Sequence, residues 1–232
     1  MKQKLTSTKN NLQVLYEDNH IIIINKRVGD IVQGDKTGDI PLSEVVKQYI
    51  AEKYQKKGKV FLGVVHRLDR PTSGIVIFAR TSKSLERLNK MLREKQLQKI
   101  YWAIVKNKPA KERDTLVHYL KKNPKNNKST VFRKEAKGSK KAILHYTVFK
   151  ELDNYTVLKI ALETGRHHQI RAQLAFIKSP IKGDLKYGAN RSNPDGGICL
   201  HAREINFIHP VRKEPIRIIA DAPKSALWNL CP

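Results

Sequence analysis

The chain has 232 residues, 40% hydrophobic and 29% charged, a composition that supports a buried core and excludes disorder as the default. Its 46 Lys plus Arg against 21 Asp plus Glu leave a formal net charge of +25, which points to a polyanionic partner and says nothing of the fold. Two cysteines, Cys199 and Cys231, exclude a disulfide framework or a paired zinc site, and no apolar run nears the roughly 20 residues of a membrane span. The opening MKQKLTSTKNN has no apolar segment behind it, so a soluble protein of the reducing cytoplasm is expected.

Residues 1–11 are polar and basic and are expected to form a flexible tail, with residues 12–232 as one catalytic-sized domain. LQVLYED and HIIIINK read as two strands around a turn at Glu17, Asp18 and Asn19. Asp39 and Pro41 open a helix that carries Leu42, Val45, Val46, Tyr49, Ile50 and Tyr54 at helical spacing and stops at Gly58. VFLGVV and GIVIFAR are short buried-strand runs, and the charged segment HRLDRPTS between them reads as a loop held by core strands. Ser82 is expected to cap a helix with a Leu85, Leu88, Met91, Leu92 stripe. KIYWAIVK follows as a strand covered on both faces.

Residues 108–141 are lysine-rich around the short strand TLVHYL and read as a projecting basic hairpin or loop. AILHYTVFKEL and NYTVLKIALET form an antiparallel hairpin, HHQIRAQLAFIK a helix with Ile170, Leu174 and Ile177 on one face, and ICLHAREINFI and IRIIA two further strands before a short terminal helix. Hairpins without strict alternation of strand and helix favour an α+β fold with a mixed, largely antiparallel sheet and flanking helices.

Two segments are dense in reactive groups. In HRLDRPTSG, Asp69 stands between Arg67 and Arg70, and neighbouring guanidiniums favour an ionised carboxylate; such an aspartate serves as nucleophile, base, metal ligand or simple turn residue. His66, before it, reads as a structural histidine or an acid–base group. In ETGRHHQIRAQ, Arg166, His168, Gln169 and Arg171 follow the Thr164–Gly165 turn and suit phosphate recognition, or else form a solvated basic face. His167 and His168 are adjacent and point to opposite sides of a helix, so they do not chelate one metal. Tyr101 packs in its strand or stacks on a base; Asp184, Lys186 and Tyr187 of GDLKYG read as turn residues. Lys121, Lys122, Lys125 and Lys128 are phosphate contacts if the partner is RNA. No nucleotide-cradling glycine loop occurs.

Taken in order, VLYEDNHIIIINK, HRLDRPTSGIVIFARTS, KIYWAIV, ETGRHHQIRAQLA, PIKGDLKYGA and LHAREINFIHP resemble the RluA-type RNA pseudouridine synthases over most of the chain. The resemblance implies an active-site cleft across the sheet and conversion of uridine to pseudouridine in ribosomal or transfer RNA, with no metal or organic cofactor. It assigns Asp69 to the essential aspartate, Tyr101 to the tyrosine that stacks on or deprotonates the target base, Arg171 to the basic partner of that aspartate, and Arg67 to holding the RNA open. Two positions depart from the family pattern: KRVG at Lys26 to Gly29 replaces Lys-Pro-x-Gly, and Gln173 replaces a histidine. Many relatives carry a small RNA-binding module ahead of the catalytic domain, for which no room is expected here; a monomer without membrane contact is expected. The competing readings are a non-catalytic, ribosome-associated RNA-binding protein, for which charge alone suffices, and a metal-dependent nuclease built on Asp69, His66 and His168, which lacks a carboxylate cluster.

Overall fold

Four consecutive isoleucines, Ile21 to Ile24, are fully buried, and a strand that is apolar on both faces has to be covered on both. In the computed structural model, which describes residues 6–35 and 37–231, they belong to the first of two compact units. Unit 1 comprises residues 1–97 and 202–223, unit 2 residues 98–201 and 224–232.

Unit 1 is built on β1 (Val14–Glu17), β2 (Ile21–Lys26) and β4 (Ser73–Ala79), adjacent in that order, with β3 (Gly63–Val64) also on β4. β10 (Leu200–Ile208) returns the chain to this unit beside β4 and pairs with β11 (Pro215–Ile219). The backbones of β4 and β10 meet at Gly74, where φ is +110° and a Cβ would lie 2.4 Å from the Ala202 carbonyl oxygen. Only glycine fits there. Helix α1 (Leu42–Lys53) has no side-chain cap; Leu42 N and Ser43 N donate instead to Ile31 O and Val32 O at 2.7 and 3.2 Å. It ends before Gln55, at φ +47°, rather than at Gly58. Helix α2 (Ser82–Arg93) packs on β3 and β4, and its cap is Thr81, which accepts from Ser84 N at 3.1 Å, rather than Ser82. Of the expected flexible tail, residues 1–5 lie outside the described residues. Ser7 is anchored, donating from N and Oγ to the Asp30 carboxylate at 3.0 and 2.6 Å.

Unit 2 holds β5 (Gln98–Val105), β6 (Arg113–Asn123), β7 (Lys128–Phe132), β8 (Lys140–Leu152) and β9 (Tyr155–Leu162), in the spatial order β5-β9-β8-β6-β7. Tyr101 to Val105 of β5 are all buried, as a strand covered on both faces requires. β6 is 11 residues long, longer than the TLVHYL core, because its polar end pairs with β7 to make the basic hairpin. Helix α3 (Gln169–Phe176) lies against β6 and β7, and Ala172 joins Leu120, Ala142 and Tyr187 in a buried cluster. The β1–β2, β2–β4, β3–β4 and β10–β11 ladders of unit 1 and the β5–β9, β9–β8, β8–β6 and β6–β7 ladders of unit 2 are antiparallel, and three α-helices accompany them, the α+β class expected. Among the described residues no helix is long and apolar enough to cross a membrane.

Candidate functional site

Asp69, Arg67 and Arg70 lie in unit 1, on the segment between β3 and β4. His66 accepts the Ile77 N–H through Nε2 at 3.2 Å, which ties the segment to the middle of β4 and assigns the ring proton to Nδ1. Asp69 O accepts from Thr72 N at 3.0 Å, closing a turn. The next carbonyl, of Arg70, accepts from Gly29 N at 3.0 Å and from Lys26 Nζ at 3.2 Å. Lys26 also donates to Arg27 O and Asp30 O, each at 2.8 Å, so its fully buried ammonium has three carbonyl acceptors for three protons. Asp69 itself is partly exposed.

The flanking guanidiniums also have partners of their own. Arg70 donates from Nε to Gly29 O at 3.1 Å and pairs with Asp39, and Arg67 reaches Gln33 Oε1 at 3.5 Å. Arg70, expected with Arg67 to contact RNA, is exposed and also clamps the Gly29 turn. Within this unit Asp69 acts on Lys26, whose proton it helps to retain. Sequence reasoning missed Lys26, although a lysine directly after five buried or half-buried strand residues is itself a signal of a specific partner. The departure from Lys-Pro-x-Gly is accommodated locally. Arg27 N donates to Asp30 Oδ2 at 3.3 Å, a bond proline lacks, and the Arg27 guanidinium reaches Asn11 O at 3.0 Å.

Burial lowers the Lys26 pKa from 10.5 to about 8, against the pull of Asp30 and Asp69 and with Arg70 adding to the fall. The unfolded chain therefore holds this proton more tightly than the folded one, and unfolding takes up a proton between pH 8 and 10.5. Stability rises with pH across that window. Urea unfolding of the wild type should show this rise relative to Lys26→Met; parallel pH profiles would contradict it.

Tyr101, Arg166, His168, Gln169, Arg171 and the four lysines lie in unit 2. Tyr101 is 7% exposed on β5, opposite Ile160 of β9. Arg171, in the first turn of α3, is held by Asp184: Nε to Oδ2 at 2.7 Å and a terminal nitrogen to Oδ1 at 2.8 Å, with both side chains buried. Two parallel bonds fix the plane of the guanidinium. Asp184, read as a turn residue, is thus a charge partner of the arginine singled out for catalysis.

Two of the residues expected to contact RNA are buried. Gln169 is 3% exposed; its Oε1 accepts from Arg166 N and Thr164 Oγ1 at 2.9 and 2.8 Å, and its Nε2 donates to Ile143 O at 3.1 Å, so the amide closes the turn into α3. His168 is buried at the N-cap with left-handed φ +53°, its Nδ1 2.9 Å from the Tyr187 hydroxyl. Arg166 remains exposed and donates from Nε to Lys141 O at 2.9 Å. Gln173, at the family's histidine position, is fully buried and donates to Leu116 O at 3.1 Å, which explains why an amide serves there. Lys121, Lys122, Lys125 and Lys128 are all exposed around the β6–β7 hairpin.

A family profile described as RNA pseudouridylate synthase matches residues 20–176. Over 227 residues the chain is 32% identical to ribosomal large subunit pseudouridine synthase D of Xylella fastidiosa, covering 92% of this chain and 66%, just under two thirds, of that protein. It is 35% identical over 242 residues to ribosomal large subunit pseudouridine synthase C of Buchnera aphidicola, covering 99% of this chain and 74% of that one. Among solved structures, human RNA pseudouridylate synthase domain containing 4 superposes with a TM-score of 0.78 at 21% identity, over 94% of this chain and 91% of that chain. Human RNA pseudouridylate synthase domain containing 1 gives 0.73 at 18% identity, over 97% and 89%. Both share the fold.

Proposed function

Because the chain belongs to the RNA pseudouridylate synthase family, we propose that it isomerises uridine to pseudouridine within RNA, with ribosomal RNA as its substrate class. Ribosomal RNA is favoured over transfer RNA by the named relatives, which are synthases for the large ribosomal subunit. The observation that carries the reading is the seating of Asp69. Hydrogen bonds to His66, Asp69 O and Arg70 O hold the backbone on both sides of one partly exposed carboxylate. A carboxylate presented this way suits chemistry in which position matters more than surface charge.

In the proposed reaction the target uridine leaves the stack, the N1–C1′ bond breaks, and the uracil turns and bonds to C1′ through C5. The C5 proton is lost and N1 regains one, so no external nucleophile or energy source enters. Asp69 is the carboxylate that starts the reaction, by attack at C1′, removal of the 2′ proton or addition at C6. All three need it ionised and oriented. Tyr101 is assigned to the face of the uracil and to loss of the C5 proton, and Arg171 is the cationic group of the set. Unstacking the uridine costs a few kcal/mol. The exposed lysines of the β6–β7 hairpin, with Arg67 and Arg166, offset that through phosphate contacts.

Neutralising Lys121, Lys122, Lys125 and Lys128 together should therefore flatten the slope of log affinity against log salt by about 3, since each phosphate contact contributes roughly 0.7 to 0.9. An unchanged slope would assign the grip elsewhere. The function is tested in cells lacking the coding sequence: pseudouridine mapping should show one or more large-subunit ribosomal RNA sites reverting to uridine. An unaltered map in every RNA would favour the non-catalytic RNA-binding reading.

A further inference from the structure

We propose that the turn Asp184–Gly188 is a clasp that couples the basic β6–β7 hairpin to Arg171, with Tyr187 as its positioning residue. The inference rests on the isomerase reading and adds to it which residues pass an RNA contact on to the chemistry. All of its members lie in unit 2.

The segment forms a short 3-10 helix, Leu185–Tyr187, closed by Tyr187 N and Ala189 N on Asp184 O at 3.0 Å each and ended by Gly188 at φ +98°. Its side chains connect in two directions. Asp184 grips Arg171 through both carboxylate oxygens. Lys186 Nζ donates to Asn126 O and Asn127 O at 3.4 and 3.2 Å, the carbonyls of the hairpin turn, where Asn127 sits at left-handed φ +49°. Tyr187 touches both sides. Its hydroxyl accepts the Ser129 N–H of β7 at 2.7 Å and lies 2.9 Å from His168 Nδ1 at the start of α3. Its ring centroid is 5.1 Å from Lys128 Nζ and 5.2 Å from Arg171 Cζ.

The hydroxyl accepts from Ser129 N and shares a hydrogen bond with His168 Nδ1, so β7, the tyrosine and the N-cap of α3 form one hydrogen-bonded chain. Burial raises the Tyr187 pKa, which keeps that hydroxyl protonated. Ser129 closes the connection a second time, its Oγ donating to His167 O at 2.7 Å.

The ring also carries the coupling. Lys128 and Arg171 both draw on its negative π system and repel one another. A phosphate that neutralises Lys128 relieves that repulsion and leaves Arg171 held more firmly by the ring and by Asp184. Occupation of the hairpin by RNA thereby sets the arginine before the chemical step.

Two variants separate this role from folding. Tyr187→Phe keeps the ring in its apolar cluster and removes the hydroxyl; Lys186→Met, at an exposed position, cuts the bonds to Asn126 O and Asn127 O and leaves the hairpin's contacts through Tyr187 and Ser129. With unmodified large-subunit ribosomal RNA at saturation, Tyr187→Phe should slow the single-turnover rate about tenfold, with RNA affinity within about twofold of wild type. Independently of turnover, the Arg171 Nε–H resonance should move when oligouridylate is added to the wild type and move less in both variants, since of the Tyr187 contacts only those of the ring remain in Tyr187→Phe and the Lys186 bonds are lost in Lys186→Met. A wild-type single-turnover rate in Tyr187→Phe, or a resonance that moves as far in both variants as in the wild type, overturns the clasp. The wild type on the same RNA judges the isomerase reading separately: no pseudouridine formed by it would overturn that reading, while the resonance still decides the clasp.

Discussion

Asp69→Asn should abolish pseudouridine formation, a loss of at least about a thousandfold in kcat/KM, while RNA affinity stays within about twofold. The substitution is nearly isosteric, and backbone bonds help to seat residue 69: Asp69 O on Thr72 N, and Arg70 O on Gly29 N and the Lys26 ammonium. Those bonds survive, so the variant should fold and bind as the wild type does. What it loses is a negative charge that an amide cannot replace in attack or in proton removal. One local consequence accompanies it. Asp69 raises the Lys26 pKa, so the variant should hold the Lys26 proton less tightly than the wild type. A variant that isomerised uridine at an appreciable rate would move the chemistry to another group.

Asp184→Ala should have the largest effect on stability. Arg171 and Asp184 are both buried and joined by two bonds, so removing the carboxylate takes both bonds and a counter-charge from a buried guanidinium, at a cost of about 3–5 kcal/mol. Both tryptophans, Trp102 and Trp228, belong to unit 2, so their fluorescence reports the unfolding of that unit. Its midpoint should fall by about 10 °C. The double variant Arg171→Met with Asp184→Leu should recover much of the loss and remain inactive, because a buried pair replaced by apolar side chains of similar volume costs little. A double variant as unstable as Asp184→Ala would show that packing around α3, and not the lost counter-charge, sets the cost.

The parts of the fold legible in the sequence are those written in apolar runs. β2 and β4 are marked by Ile21 to Ile24 and by Ile75 to Ala79, all buried on both faces. The extent of β6 was not legible, since Lys121, Lys122 and Asn123 pair with β7 through backbone bonds that carry no side-chain pattern. The helix limits turned on dihedrals: Thr81 caps α2 because its backbone is extended, and α1 stops where Gln55 turns left-handed. Asp69 and Arg171 were legible as dense local clusters, but their supports are distant. Lys26 acts 44 positions away on Arg70 O, and Asp184 acts 13 positions away on Arg171. A signal for the second existed: Asp184 is the single carboxylate in residues 164–194, so a buried arginine in that stretch had one nearby acid to pair with.

The most direct test is release of tritium from RNA labelled at C5 of uridine, incubated with the purified chain and nothing else. Isomerisation exchanges the C5 proton with water each time it occurs, so tritium should appear in the solvent one-for-one with pseudouridine in the RNA. RNA that is bound but keeps its label, or that is cut without forming pseudouridine, would contradict an isomerase.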